Sequence, residues 1–64
     1  MTHETRYLLD RSTREAVRAI QADEPKVSDI HEELCLRYTA RALIRIAAEK
    51  RRARLAQPVS SVAR

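Results

Sequence analysis

Residues 27–56 decide the fold, and they have the sequence VSDIHEELCLRYTARALIRIAAEKRRARLA. This stretch contains no Gly and no Pro, and it is rich in Ala, Leu, Glu, Arg and Lys, which lose little conformational freedom on entering a helix. It therefore predicts one long helix. At a rise of 1.5 Å per residue the helix would be about 43 Å long, so the rest of the chain has to pack against it.

The N-terminal part of the chain carries a helical pattern of its own. Apolar and small side chains recur there with a period near 3.6 residues, at Leu9, Thr13, Ala16, Val17 and Ile20. The pattern predicts a first helix over about residues 5–22, preceded by a frayed segment at residues 1–5. Ser12 and Glu15 match a capping box, which would start the helix later, but they are equally compatible with an exposed helix face.

A single interior break separates the two helices, at residues 21–26. Asp23 and Glu24 are candidate N-caps, and Pro25 suits a first-turn position because an N–H there would have no partner within the helix. Helices joined by so few residues lie antiparallel. The sequence thus predicts an all-α fold over residues 1–56. It is an antiparallel helical hairpin whose second helix, about 26–56, is long and C-terminally extended, followed by a disordered tail at 57–64.

The second helix has two apolar lines on nearly opposite sides. The first line comprises Val27, Ile30, Leu34 and Tyr38, with His31, Cys35 and Ala42 along its flank. We expect it to pack against Leu9, Ala16 and Ile20 of the first helix. The second line comprises Leu36, Ala40, Leu43 and Ala47, spaced 4, 3 and 4, with Ile44 beside it. Because the first helix can cover only about half of the second, nothing in the same chain is available to bury the second line. These five residues are the predicted partner-binding surface.

The size of the chain also favours a partner. Sixty-four residues make at most one small domain, and a single hydrophobic core of that size is marginal without disulfides, a metal or oligomerisation. Cys35 is the only cysteine, so no intrachain disulfide can form. We therefore expect the chain not to be a folded monomer, and to bind either itself or a larger host protein.

The composition predicts a cytoplasmic location. A lone thiol fits a reducing compartment better than secretion. The apolar runs are far shorter than the roughly 18 residues that a membrane span requires, and no signal-peptide core is recognisable.

Charge is distributed unevenly along the chain. Residues 1–40 carry six Lys and Arg against eight Asp and Glu, whereas residues 41–64 carry seven against one, giving net charges of −2 and +6. The candidates for contact with nucleic acid or another anion are Arg41, Arg45, Lys50, Arg51, Arg52 and Arg54. The alternative is a solvated helix end, where the helix dipole favours cations. The absence of Trp and Phe argues against base stacking and a membrane-surface helix.

Catalytic or metal chemistry has little support in the sequence. His31 and Cys35 lie four residues apart and would share one helix face, but structural zinc requires four ligands, and His3 in the terminal segment is the only further strong candidate. A nucleophilic Cys35 would require a base within a cleft, which so small a hairpin does not offer. We predict no catalytic residue, no metal, no cofactor and no small-molecule substrate, and therefore expect that the protein is not an enzyme.

The second helix contains the segment His31-Glu32-Glu33-Leu34-Cys35-Leu36-Arg37-Tyr38. It resembles the His-x-x-Leu-Ala-x-x-Tyr pattern of a group of short, uncharacterised alphaproteobacterial helical-hairpin proteins, with Cys35 where Ala is usual. Further residues that fit the resemblance are Tyr7, Arg14, Glu15, Ala19, Asp23, Pro25 and Val27. The resemblance implies a helical hairpin and carries no known activity.

The alternative to a protein-interaction module is a dimeric DNA-binding regulator of the ribbon-helix-helix type. In that arrangement residues 5–9 would form a strand paired across a dimer, and Ser12 would cap the first helix. The segment lacks the period-two alternation of a strand, and the interhelix turn has no Gly.

Overall fold

The computed structural model describes residues 1–57 of the chain, which form two helices, α1 over His3–Gln21 and α2 over Pro25–Ala56. The two helices pack against each other, and residues 1–57 contain no strand. The predicted all-α helical hairpin with a long second helix is confirmed. Gln57 is the C-cap of α2, and the rest of the predicted disordered tail lies outside the described residues.

Helix α1 begins before the point at which its apolar pattern begins. Thr2 is its N-cap, with an extended backbone and a side-chain hydroxyl that accepts a hydrogen bond of 3.2 Å from the N–H of Thr5. Residues 3–5 belong to α1, so the prediction that they are frayed is wrong. Ser12 lies in the middle of α1, so the alternative of a later, Ser12-capped start is also wrong. The start of α1 depends on the hydroxyl group of the N-cap Thr2, and a pattern of apolar residues contains no information about such a cap.

Three residues connect the helices. The N–H of Ala22 still donates to the carbonyl of Arg18, and Pro25 occupies the first turn of α2. Glu24 is the N-cap residue of α2, although its side chain makes no capping hydrogen bond. Across the turn, the hydroxyl of Ser28 donates to the carbonyl oxygen of Ala19 at 2.8 Å. This bond joins the two helices at the point where the chain reverses.

The helices meet along a seam of small and polar side chains. The seam positions are buried or half-buried, and they recur at alternating steps of three and four residues, as in an antiparallel coiled coil. On α1 they are Thr5, Leu8, Ser12, Glu15, Ala19 and, just after its end, Ala22. On α2 they are Ser28, His31, Cys35, Tyr38, Ala42, Arg45 and Glu49.

The apolar residues expected to form this contact are only partly in it, since Leu9, Ala16, Leu34 and Tyr38 are half-buried and the others are exposed. Ile20 is 84% exposed, Val17, Val27 and Ile30 are also exposed, and Ala42 is the only fully buried apolar residue among residues 1–57. The predicted pairing is wrong for Ile20, Val27 and Ile30, because it ranked helix faces by hydrophobicity. Polar side chains can occupy a buried contact when they are hydrogen-bonded, as Thr5, Ser12 and Glu15 are here.

Candidate association surface

The seam contains a buried carboxylate near the turn. Glu15 is 1% exposed, and one of its oxygens lies 2.6 Å from Nδ1 of His31 on α2. Its other oxygen accepts hydrogen bonds from Arg11 at 2.8 Å and Arg18 at 3.1 Å. The hydrogen bond with His31 is the main reason why the pKa of Glu15 is lowered from 4.5. Burial opposes the shift, and the charges of Arg18, His31 and Arg11 add to it.

A second polar group crosses the seam at its centre. The hydroxyl of Thr39 donates to the carbonyl oxygen of Cys35 at 2.8 Å, so its oxygen is free to accept a hydrogen bond from the hydroxyl of Ser12 at 2.5 Å. The thiol of Cys35 lies 3.5 Å from the same Ser12 oxygen. Ser12 thereby joins α1 to two residues of α2.

A third group closes the open end of the hairpin. One carboxylate oxygen of Glu49 accepts hydrogen bonds from the hydroxyls of Thr5 at 2.7 Å and Thr2 at 2.9 Å. The bond from Thr5 is the main reason why the pKa of Glu49 is lowered from 4.5. The N-cap of α1 is therefore fixed to α2, and the residues of α2 after Glu49 extend past the start of α1.

The side chains considered as metal ligands or as a nucleophile, His31 and Cys35, take part in these contacts between the helices. His31 is engaged with Glu15, Cys35 lies against Ser12, and the ring of Tyr38 lies 5.3 Å from the guanidinium carbon of Arg11. Within residues 1–57, no group of three or more His, Cys, Asp and Glu side chains is placed to hold a metal ion. The described part of the seam thus serves to join the two helices.

The predicted partner surface lies on the outside of α2. Leu36 is 62% exposed, Leu43 is 58% exposed, and both Ala40 and Ala47 are exposed. Leu43 follows the buried Ala42 and so lies about 100° around the helix from the seam. We call these four residues the outer stripe.

Ile44 lies apart from the outer stripe. It is exposed, and it lines an open groove of about 430 Å³ between the helices, on the side of Arg41 and Arg45. The α1 side of this groove is formed by Glu4, Tyr7 and Leu8. The predicted five-residue surface therefore divides between two sides of α2.

The basic candidates also fall into two groups. Arg45 is half-buried and forms an ion pair of 3.4 Å with Glu4 of α1, whose side chain is 75% exposed. The others, Arg41, Lys50, Arg51, Arg52 and Arg54, are exposed. Four of them lie on the part of α2 that extends past α1.

Sequence reasoning missed the polar residues that join the helices by hydrogen bonds, namely Thr2, Thr5, Ser12, Ser28, Thr39 and Glu49. They are separated by 3, 7, 16, 11 and 10 positions. Their spacing alone therefore gives no repeat that would have identified them.

Comparison of the chain with protein-family models, curated proteins and solved structures found no match. Neither α1 nor α2 is apolar over a length sufficient to cross a membrane. Residues 5–9 belong to α1, whereas a ribbon-helix-helix protein requires a strand at this position.

Proposed function

We propose that the protein is a small self-association module, in which the outer stripe of α2 binds a second copy of the chain. The observation that carries this proposal is the lack of an apolar core. Among residues 1–57 only Ala42 is a buried apolar residue, while ten large apolar side chains are exposed. Burial of apolar surface is the dominant favourable contribution to folding, so a hairpin of this kind gains stability chiefly by binding another protein surface.

The outer stripe is the best suited of the exposed apolar regions. Its four residues follow one another at steps of four, three and four, which keeps them in line along a helix and matches the repeat of a coiled coil. None of them is charged. Ala40 and Ala47 are small enough to let another helix approach closely, and the two leucines supply apolar area.

The distribution of charge along α2 favours a second copy of the chain as the partner that binds the outer stripe. The part of α2 near the turn carries Asp29, Glu32 and Glu33, and its far part carries Lys50, Arg51, Arg52 and Arg54. Each copy therefore offers both an acidic and a basic region on the same helix. A second copy brings the complementary charges without requiring any other protein.

The test is to place a charge in the outer stripe. Replacing Leu43 with Glu would put an unpaired carboxylate into the contact between copies, and burial of an unpaired charge is costly. We expect the dissociation constant of the assembly, measured by sedimentation equilibrium, to rise by about 100-fold or more.

Ile30→Glu is the matched control. Ile30 is 57% exposed, close to the 58% of Leu43, but it lies about 140° away around α2. It should leave the dissociation constant within about threefold of the original value. A wild-type chain that sediments as a monomer at all concentrations would contradict the proposed function, as would equal effects of the two substitutions.

A further inference from the structure

The outer stripe is the centre of a longer line of exposed residues. Continuing its steps of three and four towards the turn gives Glu33 and Asp29, and continuing them towards the far end gives Lys50 and Arg54. The complete line is Asp29, Glu33, Leu36, Ala40, Leu43, Ala47, Lys50 and Arg54, and all eight residues are exposed. We call it the extended stripe. It has two acidic residues, then four apolar residues, then two basic residues.

The acidic end of this line is complementary in charge to its basic end, so two antiparallel copies of the line are complementary to each other. When two copies of α2 lie antiparallel and are related by a two-fold axis near residues 41 and 42, acidic residues meet basic ones and leucines meet alanines. The layers are Asp29 with Arg54, Glu33 with Lys50, Leu36 with Ala47, and Ala40 with Leu43, and each layer occurs twice by symmetry. A two-fold axis requires this kind of self-complementary surface.

In a parallel arrangement of the same two helices, the charged residues would repel one another. In-register parallel helices would place Lys50 beside Lys50 and Glu33 beside Glu33, and like charges across a helix pair are destabilising. Leucine would also meet leucine and alanine would meet alanine, giving alternately crowded and loose layers. The antiparallel arrangement fills each apolar layer with one large and one small side chain, which packs more evenly.

We infer that two copies of the chain associate through their extended stripes as an antiparallel pair of α2 helices, giving a four-helix dimer with α1 on the outside of each copy. This inference rests on the proposed function, and adds to it the orientation, the register and the residue pairs. The ion pair of 3.3 Å between Glu33 and Arg37 does not oppose it. Both side chains of that pair are about two-thirds exposed, so rearranging it costs little.

The experiment is a charge exchange across one layer. Glu33→Lys alone and Lys50→Glu alone each create two like-charge contacts in the antiparallel dimer. The double variant would again place opposite charges across each of these layers, with unchanged net charge. We expect each single variant to raise the dimer dissociation constant about tenfold, and the double variant to return it to within about threefold of the original value.

Arg52→Glu is the control, because it makes the same charge change as Lys50→Glu on an exposed residue of α2 outside the extended stripe. It should have less than about a threefold effect. Recovery by the double variant also shows that neither substitution by itself is incompatible with the fold.

The outcomes separate the two proposals. A dimer whose single variants are unchanged, or whose double variant does not recover, overturns the antiparallel register and leaves self-association standing. A chain that stays monomeric in every variant, the original included, overturns both.

Discussion

At the scale of single residues, two carboxylates lie between the helices of the hairpin. Glu15 and Glu49 each receive hydrogen bonds from the opposite helix, and both have a pKa below 4.5. A carboxyl group whose pKa is lowered by folding favours the folded state when it is ionised. The stability that it contributes is present above the unfolded-state pKa and is lost as pH falls through the lowered value.

We therefore expect the hairpin to lose stability progressively as pH falls below about 4.5. Glu15→Gln should lower the thermal midpoint at neutral pH and weaken its dependence on pH in the acid range, because the variant has one fewer such carboxylate. Circular dichroism melts between pH 7 and pH 3 would measure both effects. Glu32→Gln, at an exposed position of α2, is the control and should keep the original profile. If Glu15→Gln gives the same profile as this control, Glu15 does not stabilise the hairpin.

At the scale of the helices, α1 and α2 differ in length, with 19 and 32 residues. The last hydrogen bond between them along α2 is made by Glu49, and residues 50–56 are all exposed. Short helical segments without packing are marginal in water. This end of α2 should therefore depend on the second copy for its order.

We predict that backbone amide hydrogens in residues 50–56 exchange more slowly as protein concentration rises. In the proposed dimer, Lys50 and Arg54 lie against the acidic part of the other α2, and protection should increase on the order of tenfold when the dimer forms. Hydrogen exchange at two concentrations would measure it. Leu43→Glu should abolish the concentration dependence. Identical exchange at both concentrations would show that this segment is not ordered by association.

At the scale of the whole molecule, the hairpin is a thin rod of 57 × 17 × 14 Å. Its smallest dimension is close to the 10–12 Å diameter of one helix with side chains. Only the seam between the helices is therefore shielded from water, and no third layer is present to cover the other faces of the described residues. Stability should depend on a second molecule.

The thermal midpoint should consequently rise with protein concentration. A species that binds only the folded state stabilises it by mass action, and for a chain of this size a tenfold increase in concentration should raise the midpoint on the order of 5 °C. Melts at several concentrations would measure the slope, and Leu43→Glu should remove it. A midpoint independent of concentration, together with a cooperative transition, would identify the hairpin as a stable monomer.

The sequence by itself determined the two helices, their break and their antiparallel arrangement. The absence of Gly, the helix-favouring composition of residues 27–56 and the short connection with Pro25 are local properties, and local physics was sufficient to interpret them. It also indicated that Leu36, Ala40, Leu43 and Ala47 would lack a cover within the chain. The structure leaves these four residues exposed, and their binding to a partner stays a prediction.

Only the tertiary structure decided which faces meet. Hydrophobicity favoured Ile20 and Val27 for the contact, whereas the helices join through Thr5, Ser12 and Glu15. The contribution of a buried polar residue to stability depends on whether a partner lies within hydrogen-bonding distance. The partners here are 16 to 44 residues away in sequence. A pattern within one helix contains no information on such partners.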